Sequence, residues 1–264
     1  MNDSTRDALE SLEFLVSSPV RPRIVAALAD GPMAGRRLQE HLEVPRSTLH
    51  RNLSALVDRG FVSRSASAAE YELTPTGEIV NEAVSDALTA VERAQSIRPF
   101  LEYFPAELPT TSESVAAAEV VVSDVEAPFD PIATVESQIV DGETVRGFLP
   151  VINPLYVDAL RRSTETDVSV DVIAPPSSYE RVERNHPDAF EAIVEQPSIR
   201  LYESDSVPQY AIGFVDDTVL LGAFDEHMRT QSVLRADSGT PIWDWATKQY
   251  AELEPTADRF DTDR

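Results

Sequence analysis

The stretch from Arg36 to Val62 leaves this chain few ways to fold. Leu49, Leu53, Leu56 and Val57 are spaced four, three and one apart. A helix opening at Arg46 or Ser47 therefore buries one stripe and leaves His50, Arg51, Ser54 and Asp58 outside. Glu43-Val44-Pro45 is a tight turn before it, and Met33 to Leu42, with Leu38 and Leu42 four apart, reads as a shorter helix before the turn. Upstream, residues 4–17 carry an apolar stripe of Leu9, Leu12, Phe14, Leu15 and Val16 that ends at Ser17-Ser18-Pro19. A short helix with Pro22 in its first turn then carries Ile24, Val25, Ala27 and Leu28, and stops at Asp30-Gly31-Pro32. Gly60 caps the Leu49–Val57 helix in a left-handed conformation. Phe61-Val62, a small polar tip from Ser63 to Glu70, and Tyr71-Glu72-Leu73 read as a hairpin.

Charge separates this segment from the rest. The net charge is -24, yet Arg21 to Arg64 holds eight arginines against Asp30, Glu40, Glu43 and Asp58. Residues 81–264 carry thirteen basic and thirty-five acidic groups. Such asymmetry points to a nucleic-acid contact surface attached to an acidic body. Of 22 basic residues only Lys248 is lysine, a balance that suits a salt-loving host as well as an ordinary acidic protein. At ~1 M salt the Debye length is only ~3 Å, so the overall charge hardly repels DNA beyond contact, and counterion release adds little affinity. The absence of cysteine excludes disulfides, thiolate zinc sites and thiol redox sensing. With no leading apolar segment and no run near ~20 apolar residues, the expectation is a soluble cytoplasmic protein with no membrane contact.

Residues 77–104 read as one long helix. Val80, Val84, Ala87, Val91 and Ala94 step by four, three, four and three, the spacing of a coiled-coil seam. A homodimer seam and a helix packed on its own domain both fit. Pro99, Pro105, Pro109 and Thr110-Thr111-Ser112 mark a linker. Beyond it, expected strands cover 118–125, 145–152, 168–173, 199–202, 210–215, 219–224 and 230–234. Expected helices cover 131–140, 155–162, 179–195 and 242–253. This alternation implies a mostly parallel α/β sheet closed by an antiparallel meander, with a hairpin turn at Asp216-Asp217. The expected division is a DNA-binding domain at 1–76, a linker and dimerisation helix at 77–112, a mixed-sheet α/β domain at 113–254, and a frayed tail at 255–264.

Arg46-Ser47-Thr48, Leu53, Leu56, Arg59-Gly60 and Tyr71-Glu72-Leu73-Thr74-Pro75-Thr76-Gly77 together resemble the winged helix-turn-helix of archaeal and bacterial transcription regulators. Gly147-Phe148-Leu149-Pro150-Val151, Asn153-Pro154-Leu155-Tyr156 and Leu221-Gly222-Ala223-Phe224-Asp225-Glu226 resemble the C-terminal sensor domain of the methanogenesis-regulator type found in haloarchaeal winged-helix proteins. The resemblance implies a transcription regulator that binds double-stranded DNA as a dimer and answers to a small effector. It does not imply methanogenesis.

A recognition helix meets the major groove with its first turns, which nominates Arg46, Ser47, Thr48, His50 and Arg51. Ser47 and Thr48, with free helix-start amides, suit phosphates; Arg46 and Arg51 reach guanine edges. Arg36, Arg37 and Arg64 are candidate phosphate clamps. Surface pairing of some arginines with Glu40, Glu43 or Asp58 is the competing reading. Effector candidates are Arg146, Pro150, Asn153, Tyr156 and Tyr210, near strand ends where open α/β sheets place crevices, although Asn153 also suits a helix cap. No catalytic set, cofactor loop or metal site is expected. Asp225-Glu226-His227 reads as a loop, and one lysine leaves no phospholipase-like His-x-Lys centre. A signalling enzyme or a protein-interaction scaffold carrying a winged helix are the alternatives.

Overall fold

The computed structural model describes residues 3–65, 69–163 and 168–260. They fall into two compact units, Met1–Glu92 and Arg93–Arg264. Among the described residues no helix is long and apolar enough to cross a membrane.

The first unit runs α1 (Asp3–Val16), α2 (Val20–Ala29), β1 (Met33–Ala34), α3 (Gly35–Leu42), α4 (Arg46–Asp58), β2 (Val62–Arg64), β3 (Glu70–Leu73) and the start of α5 (Pro75–Leu101). Its core centres on Ile24, Leu38, Leu53 and Leu56, none more than 2% exposed. Met33-Ala34 does not start the third helix as expected. Glycine and proline just before it favour extended backbone, and the pair bonds Tyr71 and Glu70 as the outer strand of a sheet ordered β1-β3-β2. Asn52 and Val57 flank the buried stripe of α4 on opposite sides. Neighbouring elements cover Asn52 and leave Val57 exposed. The tip residues 66–68 lie outside the described residues.

Gly60 (φ +73) ends α4: its N–H donates to Val57 O (2.9 Å), and Phe61 N–H donates to Leu56 O (3.0 Å). These are the bonds of a left-handed cap. Thr74 then binds the wing to α5. Its N–H donates to Phe61 O (3.1 Å), its hydroxyl donates to Gly60 O (2.6 Å), and the same oxygen accepts from Gly77 N–H (3.0 Å). Gly77 comes so close that a Cβ would lie 1.9 Å from Phe61 O.

The expected seam of α5 divides. Val84 is 7% exposed in the core of the first unit, with Val80 packed against that core, whereas Ala87, Val91 and Ala94 are exposed. Ile97 and Phe100, further along, belong to a core of the second unit. The proline-marked segment after the helix is itself packed, with Phe104 and Leu108 buried.

The second unit continues with α6 (Ser112–Ala116), β4 (Ala118–Val122), α7 (Asp130–Asp141), β5 (Thr144–Phe148), α8 (Pro154–Ser163) and β6 (Ser169–Ala174). Then come α9 (Pro176–Asn185), α10 (Pro187–Val194), β7 (Ile199–Glu203), β8 (Ala211–Val215), β9 (Thr218–Phe224), β10 (Thr230–Asp237), α11 (Pro241–Leu253) and β11 (Asp258–Arg259). One eight-stranded sheet has the order β11-β7-β6-β5-β8-β9-β10-β4. Only β5-β6 and β6-β7 pair in parallel; the other ladders are antiparallel. The sheet is therefore mixed, as expected of this domain, with fewer parallel ladders than the alternation of strand and helix implied. Helical crossovers impose parallel pairing only from β5 to β7, and β4 joins the far edge beside β10. The expected helix 179–195 is two helices, broken where Pro187 cannot donate to the preceding turn.

Helices α7 to α10 cover one face of the sheet over Val170, Leu220 and Val233, and α11 covers the other over Phe148, Phe214 and Leu221. Asp216 (φ +49) makes the β8-β9 turn and accepts from the N–H groups of Thr144 (2.9 Å) and Glu143 (3.2 Å). Residues 254–260 do not fray. They form a 3-10 turn and β11, and the Phe260 ring packs tilted against Tyr179 at 4.8 Å, burying apolar surface that the local polar composition hides. Residues 261–264 lie outside the described residues.

Gly77→Ala is expected to destabilise the first unit by about 1–3 kcal/mol, because a methyl meets backbone that cannot swing aside. Gly60→Asn, with open space at Cβ and a residue tolerant of positive φ, is expected to cost less than about 1 kcal/mol. Urea unfolding of both variants checks the order, and a smaller loss for Gly77→Ala contradicts it.

Candidate nucleic-acid interface

The outward surface of α4 follows from its inward one. With Leu49, Leu53 and Leu56 buried, a 3.6-residue period leaves Arg46, Ser47, His50 and Arg51 exposed and Thr48 half-buried. Buried Asn52, which the apolar pattern does not reveal, fixes the helix. Its Nδ2 donates to Thr48 O (2.8 Å), while its Oδ1 accepts from Arg21 Nε (3.1 Å) and Ser18 Oγ (3.2 Å). The only sequence signal for it is a polar residue four positions after Thr48, on the rim of the leucine stripe.

The eight arginines divide by what they touch. Arg21 lies 4.0 Å over the Phe14 ring and donates to Phe14 O; Arg59 stacks over the same ring at 4.2 Å. Arg23 donates to Leu42 O (2.8 Å) at the end of α3. These three are held by the fold. Arg36 pairs with Glu40 (3.0 Å), both exposed, as the surface-pairing alternative anticipated. Arg37, Arg46, Arg51 and Arg64 have no carboxylate within ion-pair distance among the described residues; Arg64 lies 5.7 Å over the Tyr71 ring. Burial, then the charges of Arg51 and Arg59, pull the Arg21 guanidinium below its usual range. Arg21, Arg51 and Arg59 thus lie close enough to act on one another's charge.

Arg36, Arg46, His50 and Arg64 line one groove with Gln39 and Tyr71, about 660 Å³ in volume, between α3, α4 and the wing. Arg37, Ser47, Thr48 and Arg51 lie outside it. The groove therefore gathers half of the proposed contact residues.

The effector candidates of the second unit are not gathered. The Arg146 guanidinium lies 4.9 Å over Phe214 and 5.7 Å over Tyr250, on the α11 side of the sheet. Tyr210 is buried on that side, packs on Phe104 and Phe148 and donates to Gln249 Oε1 (3.0 Å). Burial, then Glu252, raises its pKa. Asn153 and Tyr156 line a cleft of about 590 Å³ on the other side. Asn153 Oδ1 accepts from Leu155 N–H (2.9 Å), so it also caps α8. Pro150 O accepts from Ser178 Oγ (3.1 Å). Strand alternation in β5 turns the Arg146 side chain to the α11 face, whereas Tyr156 packs with the helices on the other face. Asp225 organises its own loop, accepting from His227 N–H and Arg229 N–H (2.9 Å each). Those bonds, Arg229 first, depress its pKa.

A winged-helix unit with an arginine-bearing groove and a mixed-sheet α/β unit define the class of protein. Residues 9–96 match the family model described as the HVO_A0261 N-terminal domain, and residues 128–254 match that of the middle domain of the methanogenesis regulatory protein FilR1. The two matched segments do not overlap. Its fold is similar to that of TrmBL2, an archaeal chromatin protein described as showing a novel mode of DNA binding. That match has 13% identity and a TM-score of 0.42, over 90% of this chain and 92% of that one. Nuc, a phospholipase D family member from Salmonella typhimurium, matches at 13% identity and TM-score 0.41, over 55% of this chain and 98% of its own. The transcriptional repressor BigR from Xylella fastidiosa matches at 25% identity and TM-score 0.29, over 34% and 94%. No curated protein matches the chain.

Asn52→Ala is expected to cost the first unit about 1–3 kcal/mol, since it strips the acceptor from Arg21 and Ser18. An unmoved urea midpoint would show that the amide carries no such burden.

Proposed function

We propose that this chain is a sequence-specific DNA-binding transcription regulator that acts as a cytoplasmic homodimer, with a C-terminal domain that receives a small effector. One observation carries the DNA reading. On a chain of net charge -24, Arg37, Arg46, Arg51 and Arg64 stand exposed on α3, α4 and the wing, without carboxylate partners among the described residues. Elsewhere acids outnumber bases, so unpaired arginines on one surface of the winged helix suit a polyanion. The matches to the HVO_A0261 N-terminal domain and to the middle domain of a regulatory protein support the same reading.

The residues divide by task. Arg46 and Arg51 reach base edges from the first turns of α4. Ser47 and Thr48 take phosphates there, where Pro45 offers no side-chain cap to compete for the amides. Arg64 on the wing and Arg37 on α3 clamp phosphates on either side, Arg36 joins them once released from Glu40, and His50 bridges between. Arg51→Ala is expected to lose ~1–3 kcal/mol of discrimination at a single base pair, and Arg64→Ala to weaken all sequences alike and reduce the salt slope by about 1. Gel-shift titration on operator and mutated operators reads both, and an operator preference untouched by Arg51→Ala excludes its base-reading role.

Dimerisation is supported by apolar surface. In the first unit, exposed large hydrophobics among the described residues fall on α1 (Leu9, Leu12, Val16), on α5 (Ile79, Leu88, Val91) and at Val57. Isolated exposed leucines are ordinary, but two helices that each bare three call for a partner, and a second copy supplies the two-fold symmetry that paired half-sites require. Leu88→Glu with Val91→Glu is expected to give a monomer by sedimentation equilibrium and to weaken operator binding at least tenfold. A dimer that survives the pair moves the interface elsewhere.

A further inference from the structure

Between the sheet and helices α7 to α10 lies a chamber of about 110 Å³, lined almost wholly by apolar atoms. Its floor is made of small residues on three adjacent strands: Gly147 of β5 is paired with Gly213 of β8, and Ala211 of β8 with Gly222 of β9. Crowding accounts for two of the three glycines. A Cβ on Gly147 would fall 2.1 Å from Ile212 O, and one on Gly222 would press Ala211 Cβ at 3.1 Å. Gly213 is under no such constraint, since its Cβ would meet nothing within 4 Å. A side chain there would fill the void, and cores are otherwise close-packed. A dry cavity of about 150 Å³ admits a benzene ring in another protein, so this chamber is of that order.

The chamber adjoins the cleft of about 590 Å³ that contains Asn153, and Ile152, Tyr156, Val182, Phe224 and Thr230 line both. Tyr156 stands at the junction, and burial raises the pKa of its hydroxyl. The cleft is lined by Arg181, Arg229 and His186 and, among the described residues, by no carboxylate side chain, in a chain with 46 acidic residues. Arg229 is committed to Asp225 (2.8 Å). Arg181, exposed on α9, has no ion-pair or hydrogen-bond partner among the described residues. An apolar chamber below and an unpartnered guanidinium above specify a ligand with two ends.

We propose that this chamber and cleft bind a small monocarboxylate, its ring or short chain against Gly213 and its carboxylate at Arg181. Its role as the effector rests on the reading of the C-terminal domain as a sensor, and the two claims are tested separately.

Isothermal titration calorimetry of the intact chain with phenylacetate, benzoate and hexanoate reads binding directly. Phenylacetamide supplies the same body without charge, and acetate the charge without the body. At least one of the three acids is expected to bind below about 10 mM, the range such small ligands reach. Phenylacetamide is expected to bind about tenfold more weakly than phenylacetate, and acetate not at all. Gly213→Leu is expected to weaken the acid at least tenfold while the far-ultraviolet dichroism stays native. Arg181→Gln is expected to weaken the acid about tenfold and leave the amide unchanged. Methyl chemical shifts of Leu220 and Val233, which line the chamber, are expected to move on titration, and they locate the ligand in the native chain even if Gly213→Leu does not fold. Failure of all three acids to bind, or binding that leaves those methyls unmoved, overturns the site. An acid that binds there but leaves operator affinity unchanged upholds the site and rejects the sensor role.

Discussion

The first unit depends on how α4 is held. Three leucines on one stripe of a thirteen-residue helix are buried against α2 and α3. Because a helix turns by a fixed angle per residue, that burial also dictates which side chains face away. Asn52 makes the orientation specific. Leucines alone tolerate some rotation of a helix in its seat, whereas an amide that bonds Thr48, Arg21 and Ser18 loses those partners if the helix turns. The exposure of Arg46, His50 and Arg51 is thus the reverse side of a packing problem.

The same arginines that make the segment basic do different work according to their seat. Arg21, Arg23 and Arg59 stack on Phe14 or cap α3, spending their donors inside the unit. What remains on the outer surface is smaller than the net count of the segment suggests. It is better placed, because two arginines flank α4 from α3 and from the wing. In an acidic chain, and in concentrated salt if the host provides it, long-range attraction is weak and contact geometry has to supply the affinity.

The sheet of the second unit separates two kinds of interior. Beneath α11 aromatic rings fill the space: Tyr210 packs on Phe104 and Phe148, Phe104 meets Trp245, and Phe214 packs on Trp243 and Tyr250. Beneath α7 to α10 glycines and aliphatic residues leave room. Small residues on three adjacent strands remove volume from a single layer, and helices resting on larger side chains around it cannot sink to close the gap.

Much of this was legible in the sequence because it is local. The two helices and their turn, the cap at Gly60, the hairpin, the Asp216-Asp217 turn and most strand positions depend on neighbours within a few residues. So do the apolar stripe of α4 and hence the exposed faces of Arg46, His50 and Arg51. What only the tertiary structure decided is long-range pairing and side-chain company. Met33-Ala34 became a strand because Glu70 and Tyr71 lay beside it. The strand β4 crossed to the far edge of the sheet beside β10, β8 set itself antiparallel to β5, and the tail became ordered because Phe260 found Tyr179. Arg146 and Tyr156, ten residues apart, went to opposite faces of one sheet. A chain carries its own periodicity in its letters, but a contact between distant residues is paid for in loop closure and rewarded by burial only after both partners are in place.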